Sequence, residues 1–107
     1  MSTRPRIYVA GPISLGDLDA NVREGIRVGL DLLEAGYAPF IPHLSHLVSP
    51  AVAGTEQYEK WLDLDMSYIS VCDAVFRLPG ASAGADREVA FARSLGIPVY
   101  GSVADLK

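Results

Sequence analysis

Short apolar runs alternate with longer stretches of helical periodicity along this chain. Arg6-Ile-Tyr-Val-Ala10 is rich in strand-forming residues and is stopped by Gly11-Pro12, which predicts a strand followed by a loop. From Asp19 to Ala35 the positions Val22, Ile26, Leu30 and Leu33 recur at helical spacing, and Gly36 stands where a glycine closes a helix. Gly25 and Gly29 share that face. Glycine inside a helix costs about 1 kcal/mol relative to alanine, so the pair predicts close approach to a sheet. Tyr37 to Ile41 predicts a second strand, ended by Pro42, and His43 to Gly54 a loop. Thr55 reads as an N-cap, with Glu56 in the first turn of a helix running to about Val71. Asp73 to Leu78 is a third strand ended by Pro79-Gly80. Ser82 caps a further helix to Leu95, Gly96 closes it, and Ile97 to Tyr100 is a fourth strand.

This order, βαβαβαβ, predicts an α/β single-domain fold over residues 1–107: a flavodoxin-like or Rossmann-like three-layer sandwich with right-handed crossovers. A parallel sheet of about four strands in the order 2-1-3-4 reverses its winding between strands one and three. Ligands of such sheets bind at that reversal, beyond the carboxyl ends of the strands. The loops entering the crevice are then Gly11–Asp17 and Pro79–Ala85, both rich in glycine.

Two acidic residues break the apolar pattern. Tyr58, Trp61, Leu62, Tyr68, Ile69 and Cys72 form one stripe of the second helix, and Asp65 falls on it, while Asp63 joins Glu59 and Ser70 on the polar face. In the third helix Glu88 falls among Gly84, Phe91 and Leu95, with Ala85, Val89 and Ala92 beside them. Ionised carboxylates are rarely buried without partners. Each acid either pairs with Arg77, Arg87 or Arg93 or accepts backbone hydrogen bonds, or the two form a site. Paired carboxylates are the usual equipment for cleaving a glycosidic bond. The small residues of Leu78-Pro-Gly-Ala-Ser-Ala-Gly-Ala85 bring backbone N–H groups close to a ligand or, more plainly, make a capped turn.

Other candidates are fewer. His43 and His46, three residues apart, have no evident third ligand for a metal, so no metal or cofactor is expected and His43 reads as a substrate-facing or hydrogen-bonded loop residue. Tyr8 either points its hydroxyl into the crevice or fills the core. Trp61, Phe91 and Cys72 read as core. The net charge of −4 argues against a nucleic-acid polymer or an anionic membrane as partner, though not against a small phosphorylated ligand. The lone cysteine fits a reducing, cytoplasmic setting, and no apolar run approaches the ~20 residues of a membrane span. Half the 107 residues are hydrophobic and the mean hydropathy is +0.22, so a homodimer or larger homo-oligomer is expected to cover apolar surface.

Ile7-Tyr-Val-Ala-Gly-Pro12, Asp65 ahead of Cys72-Asp73, and Ser82-x-Gly84-x-x-x-Glu88 together resemble the nucleoside 2-deoxyribosyltransferase-like superfamily. That superfamily includes the deoxynucleoside 5′-monophosphate N-glycosidases. The nearest likeness is to a small phage and bacterial branch marked by Leu-Pro-Gly-x-Ser-x-Gly-Ala-x-x-Glu, here Leu78 to Glu88. The resemblance implies that Glu88 is a nucleophile attacking C1′, that Asp65 transfers a proton to the leaving base, and that Tyr8 positions Glu88. It implies substrate contacts from Gly11, Pro12 and Ile13 and, around the 5′ side of the sugar, from Ser82 and Gly84. Two departures stand out. Monophosphate N-glycosidases carry serine where this chain has Pro12, and the stretch from Asp73 to Ser82 is longer here.

The expected function is therefore N-glycosidic bond cleavage, or deoxyribosyl transfer, on a nucleoside or its 5′-monophosphate. Two alternatives are a nucleotide-binding module without turnover and a phosphoribohydrolase of the lysine-decarboxylase-like type. The second fits less well, because its motif has a further glycine next to Gly80 and a threonine after Gly84.

Overall fold

The alternation along β1 (Arg6–Ala10) divides the core in two. Ile7 and Val9 face one side of the sheet and pack with Val28, Leu32, Ala74, Phe76 and Leu78. Tyr8 and Ala10 face the other and pack with Ile69, Val75, Ala85, Val89 and Ala92. Both faces of the strand are buried, as expected where crossover helices cover a parallel sheet on both sides. The computed structural model describes residues 3–13, 15–44 and 55–106, the side chains of 55–58 excepted.

The remaining elements are α1 (Leu18–Glu34), β2 (Ala38–Phe40), α2 (Thr55–Ile69), β3 (Ala74–Arg77), α3 (Ala83–Ser94) and β4 (Val99–Tyr100). All strand pairs are parallel and the sheet order is β2-β1-β3-β4. β1 has the expected span, whereas β2, β3 and β4 are shorter than the apolar runs that predict them, with Pro39, Pro79 and Pro98 inside or beside them. α1 covers one face, and α2 and α3 the other.

Capping follows the sequence closely. Asp17 accepts from the Ala20 backbone N–H at 3.2 Å and starts α1 at Leu18, one residue earlier than the apolar pattern indicates. Gly36 ends it at φ +101°, a conformation that glycine adopts without steric cost. The Tyr37 N–H then reaches the Leu32 carbonyl, and the Gly36 N–H the Leu33 carbonyl. At this same end of the sheet, Arg4 donates to the carbonyls of Leu33 and Tyr37, and Arg6 to that of Val71. Both guanidiniums therefore meet helix C-terminal carbonyls, where a cation is favoured.

The buried face of α1 is rotated from the expected one. Val22, Gly25, Val28, Gly29 and Leu32 are buried, whereas Leu30 and Leu33 are about half exposed. The glycines cause the rotation, and the close approach they make is to the chain just after β2. A Cβ on Gly25 would lie 2.6 Å from the His43 ring, and one on Gly29 would collide with the Ile41 side chain. Gly25→Ala should therefore destabilise the protein by roughly 1–3 kcal/mol in urea unfolding, despite its better helix propensity, since a ring carbon cannot swing away. Gly29→Ala should cost less, because the end of Ile41 can turn. Equal losses at the two positions would contradict this account.

On α2, Leu62 and Ile69 are buried as expected, but Tyr68 is not: with Leu64 and Val71 it stays 41–54% exposed. Trp61 and Phe91 are half-buried, and Leu95 is exposed. Among the described residues no helix is long and apolar enough to cross a membrane.

Candidate active site

Three side chains from three elements meet on the α2/α3 face. Tyr8, fully buried in the middle of β1, donates its hydroxyl to Glu88 Oε2 at 2.6 Å. Glu88 sits on the second turn of α3 and is only 6% exposed. Asp65, half-buried on α2, lies close enough to Glu88 and Tyr8 for the three groups to act on one another's ionisation. Alternation along β1 sets the direction of Tyr8, while the spacing from the Ser82 cap sets that of Glu88. Ser82 accepts from the Ala85 N–H at 3.1 Å, which fixes the start of α3 and hence the rotation of the helix.

Burial is the main force on all three groups. Removed from water, Glu88 is pushed up to about 8, and the Asp65 charge raises it further while the Tyr8 hydroxyl opposes the rise. Asp65 is pushed up to about 6 by burial, against the lowering effect of its bonds to Glu88 and Tyr8. Tyr8 is driven well above its ordinary range by burial and by the adjacent acids, so its hydroxyl stays a donor. Two carboxyls that interact this strongly titrate as a unit. Near neutral pH the pair holds one proton between them.

Of the cations the sequence offered as partners, Arg87 pairs with the exposed Glu59 at 3.1 Å and Arg77 with Asp86 at 3.1 Å. Asp65 and Glu88 meet each other and Tyr8 instead.

The two loops form the rim of this face. Gly11 is buried, and a Cβ there would lie 2.6 Å from Leu78 Cβ, so only glycine lets the strands approach at this point. Gly80, at φ +108°, lies under Pro12: a Cβ on it would be 2.9 Å from Pro12 Cγ. Pro12 and Ile13 are half-buried, as are Ser82 and Gly84. His43 is fully buried in a short 3-10 turn (Pro42–Leu44), its ring against Gly25 on the α1 side. His46 lies outside the described residues.

A sequence family described as a domain of unknown function, DUF4406, matches residues 5–101. The chain belongs to that family. Tyr8, Asp65 and Glu88 all fall within the matched region. No curated protein sequence matches the chain. Among solved structures it is similar to the 2-deoxyribosyltransferase from the psychrotolerant bacterium Bacillus psychrosaccharolyticus, with a TM-score of 0.65 over 92% of this chain and 75% of that one. At 24% identity the likeness is one of fold. The DUF4406 chain thus has the fold expected from its element order and from the motifs around Tyr8, Asp65 and Glu88.

Sequence reasoning put Tyr68 on the apolar stripe of α2 and did not single out Phe40. Their rings stack 4.5 Å apart, and Phe40 stacks in turn on Tyr8 at 5.6 Å, so the aromatic layer runs from the buried phenol out to the surface. The pairing of Tyr8 with Phe40 across β1 and β2 is a register effect, invisible until the strands are aligned.

Proposed function

We propose that this protein cleaves the N-glycosidic bond of a nucleoside or nucleoside 5′-monophosphate, or transfers its deoxyribosyl group, with Glu88 as nucleophile. The observation that carries the reading is the buried cluster of Tyr8, Glu88 and Asp65. A structural ion pair would neutralise an inner carboxylate with a cation; here two acids share a site and a phenol donates to one of them. The fold of a 2-deoxyribosyltransferase and the Leu78-to-Glu88 motif support the same chemistry.

In the first step a Glu88 carboxylate oxygen attacks C1′ and forms an ester as the C1′–N bond breaks. The single proton of the pair, which rests on Glu88 in the free protein, passes to Asp65 as substrate binds; the electron pair of the broken bond goes to the departing base, which takes that proton. Water, or a second base, then attacks C1′ and releases Glu88, while Asp65 accepts a proton back. The Tyr8 hydroxyl, donating to Glu88, favours its anion against the effect of burial and fixes its rotamer. Gly11, Pro12, Ile13, Ser82 and Gly84 line the approach, and His43, buried against α1, takes no part in it.

Incubation with a panel of nucleosides and monophosphates, with and without added free base, tests this by chromatography of the released base. Base exchange would assign transfer, and release without exchange hydrolysis; ligand binding with neither would favour a non-catalytic module. Asp65→Asn should slow substrates whose base must be protonated by roughly 10²-fold or more while sparing those with activated leaving groups. Equal loss on both would remove Asp65 from the proton-transfer role.

A further inference from the structure

Arg77 ends β3 and lies in register with Ala10 of β1. Along β3, Phe76 and Leu78 face the α1 side, and Val75 faces the α2/α3 side. Arg77 therefore alternates onto the same face as Tyr8. It is the one charged residue in an otherwise apolar strand, and its side chain is 20% exposed.

The guanidinium is held on several sides. It donates to the Leu78 carbonyl, to the Gly80 carbonyl at 3.0 Å and to Asp86 Oδ1 at 3.1 Å. The first two contacts fix the turn that brings Gly80 beneath Pro12. The third ties that turn to the first turn of α3, two residues ahead of Glu88. A lysine could not span these acceptors in one plane, whereas the arginine fork can.

We propose that Arg77 is a positioning residue of this site, clamping the β3–α3 turn onto the start of α3 and keeping a positive charge on the face that carries Glu88. The groups facing Glu88 are Tyr8 from β1, Asp65 from α2 and Arg77 from β3, with Asp86 on its own helix. Burial and Asp65 favour the protonated acid; Tyr8 and the Arg77 charge favour the anion that a nucleophile requires. Arg77 is thus a counterweight to the desolvation that the closed site imposes. Its catalytic consequence rests on the nucleophile reading above; its effect on the Glu88 proton does not.

The test is a carboxyl-carbon NMR titration of Glu88 in the full chain without substrate, comparing wild type, Arg77→Lys and Arg77→Met. In Arg77→Met the Glu88 midpoint should rise by roughly half a unit to one unit, while Arg77→Lys, which keeps the charge, should stay close to wild type. Circular dichroism checks that each variant is folded. If Arg77→Met does not fold, Arg77→Gln, which keeps amide donors for the two carbonyls, is judged by the same criterion. An unchanged midpoint in the folded uncharged variant, or an equal shift in Arg77→Lys, would overturn the proposal. Where turnover is measurable, the limb of the pH profile that rises with Glu88 ionisation should move up by the same amount. An inactive wild type with the NMR shift intact would count against the nucleoside chemistry alone.

Discussion

A Glu88→Gln protein should turn over its nucleoside substrate roughly 10²–10⁴-fold or more slowly than wild type while still binding it. Glutamine keeps the volume of the side chain and an oxygen able to accept from the Tyr8 hydroxyl, so the packing around α3 has no cause to change. What it loses is the anion. An amide oxygen is a poor nucleophile at an anomeric carbon, and the loss should appear in kcat rather than KM. A 2-fluoro-substituted nucleoside slows breakdown of a glycosyl ester more than its formation. With wild type, mass spectrometry should find the sugar attached to the peptide containing Glu88, and with the glutamine variant no adduct. Turnover near wild type in Glu88→Gln would end the nucleophile assignment.

The sheet order and the two inward acids were legible because each rests on a local pattern. Strand and helix periods differ, glycines and prolines mark the boundaries, and a lone carboxylate on an apolar stripe has few structural uses. The face of α1 was not legible. Val22, Ile26, Val28, Leu30, Leu32 and Leu33 spread over much of the helix circumference, and the choice among them is made by Gly25 and Gly29, which admit His43 and Ile41 from a distant part of the chain. Tyr8 carried two readings: its ring is core, and its hydroxyl, also buried, donates to Glu88. For His43 the sequence indicated a loop, whereas the structure buries it in a tight turn against α1. Arg77 could have been found from alternation alone, since a charged residue two places after inward-facing Val75 in a strand buried on both faces has to be accounted for. Its partners, Gly80 and Asp86, depend on how the turn folds back and could not be read from the chain.

The same substitution should make the protein more stable above neutral pH, in the opposite direction to its effect on turnover. Folded Glu88 holds its proton up to about 8, against an ordinary value of 4.5. Between those values the folded state binds more protons than the unfolded chain, so stability is fully present below the unfolded value and falls as pH rises through the folded one. Asp65, raised from 3.8 to about 6, adds to the fall over the lower part of the same window. Glutamine carries no charge to desolvate. It removes the Glu88 share of the slope. At about pH 8–9 the variant should exceed wild type by roughly 1–3 kcal/mol, the order of the cost of burying an incompletely compensated polar group. For a chain of this size that raises the melting temperature by about 4 °C or more. Near pH 4, where wild-type Glu88 is protonated in both states, the two melting curves should converge. A stable but inactive protein is the expected outcome when a buried charge is kept for chemistry at the expense of the fold. Parallel melting temperatures for the two proteins from about pH 4 to 9 would mean that Glu88 is ionised in the folded state at ordinary acidity, and would remove the one-proton carboxyl pair from the mechanism.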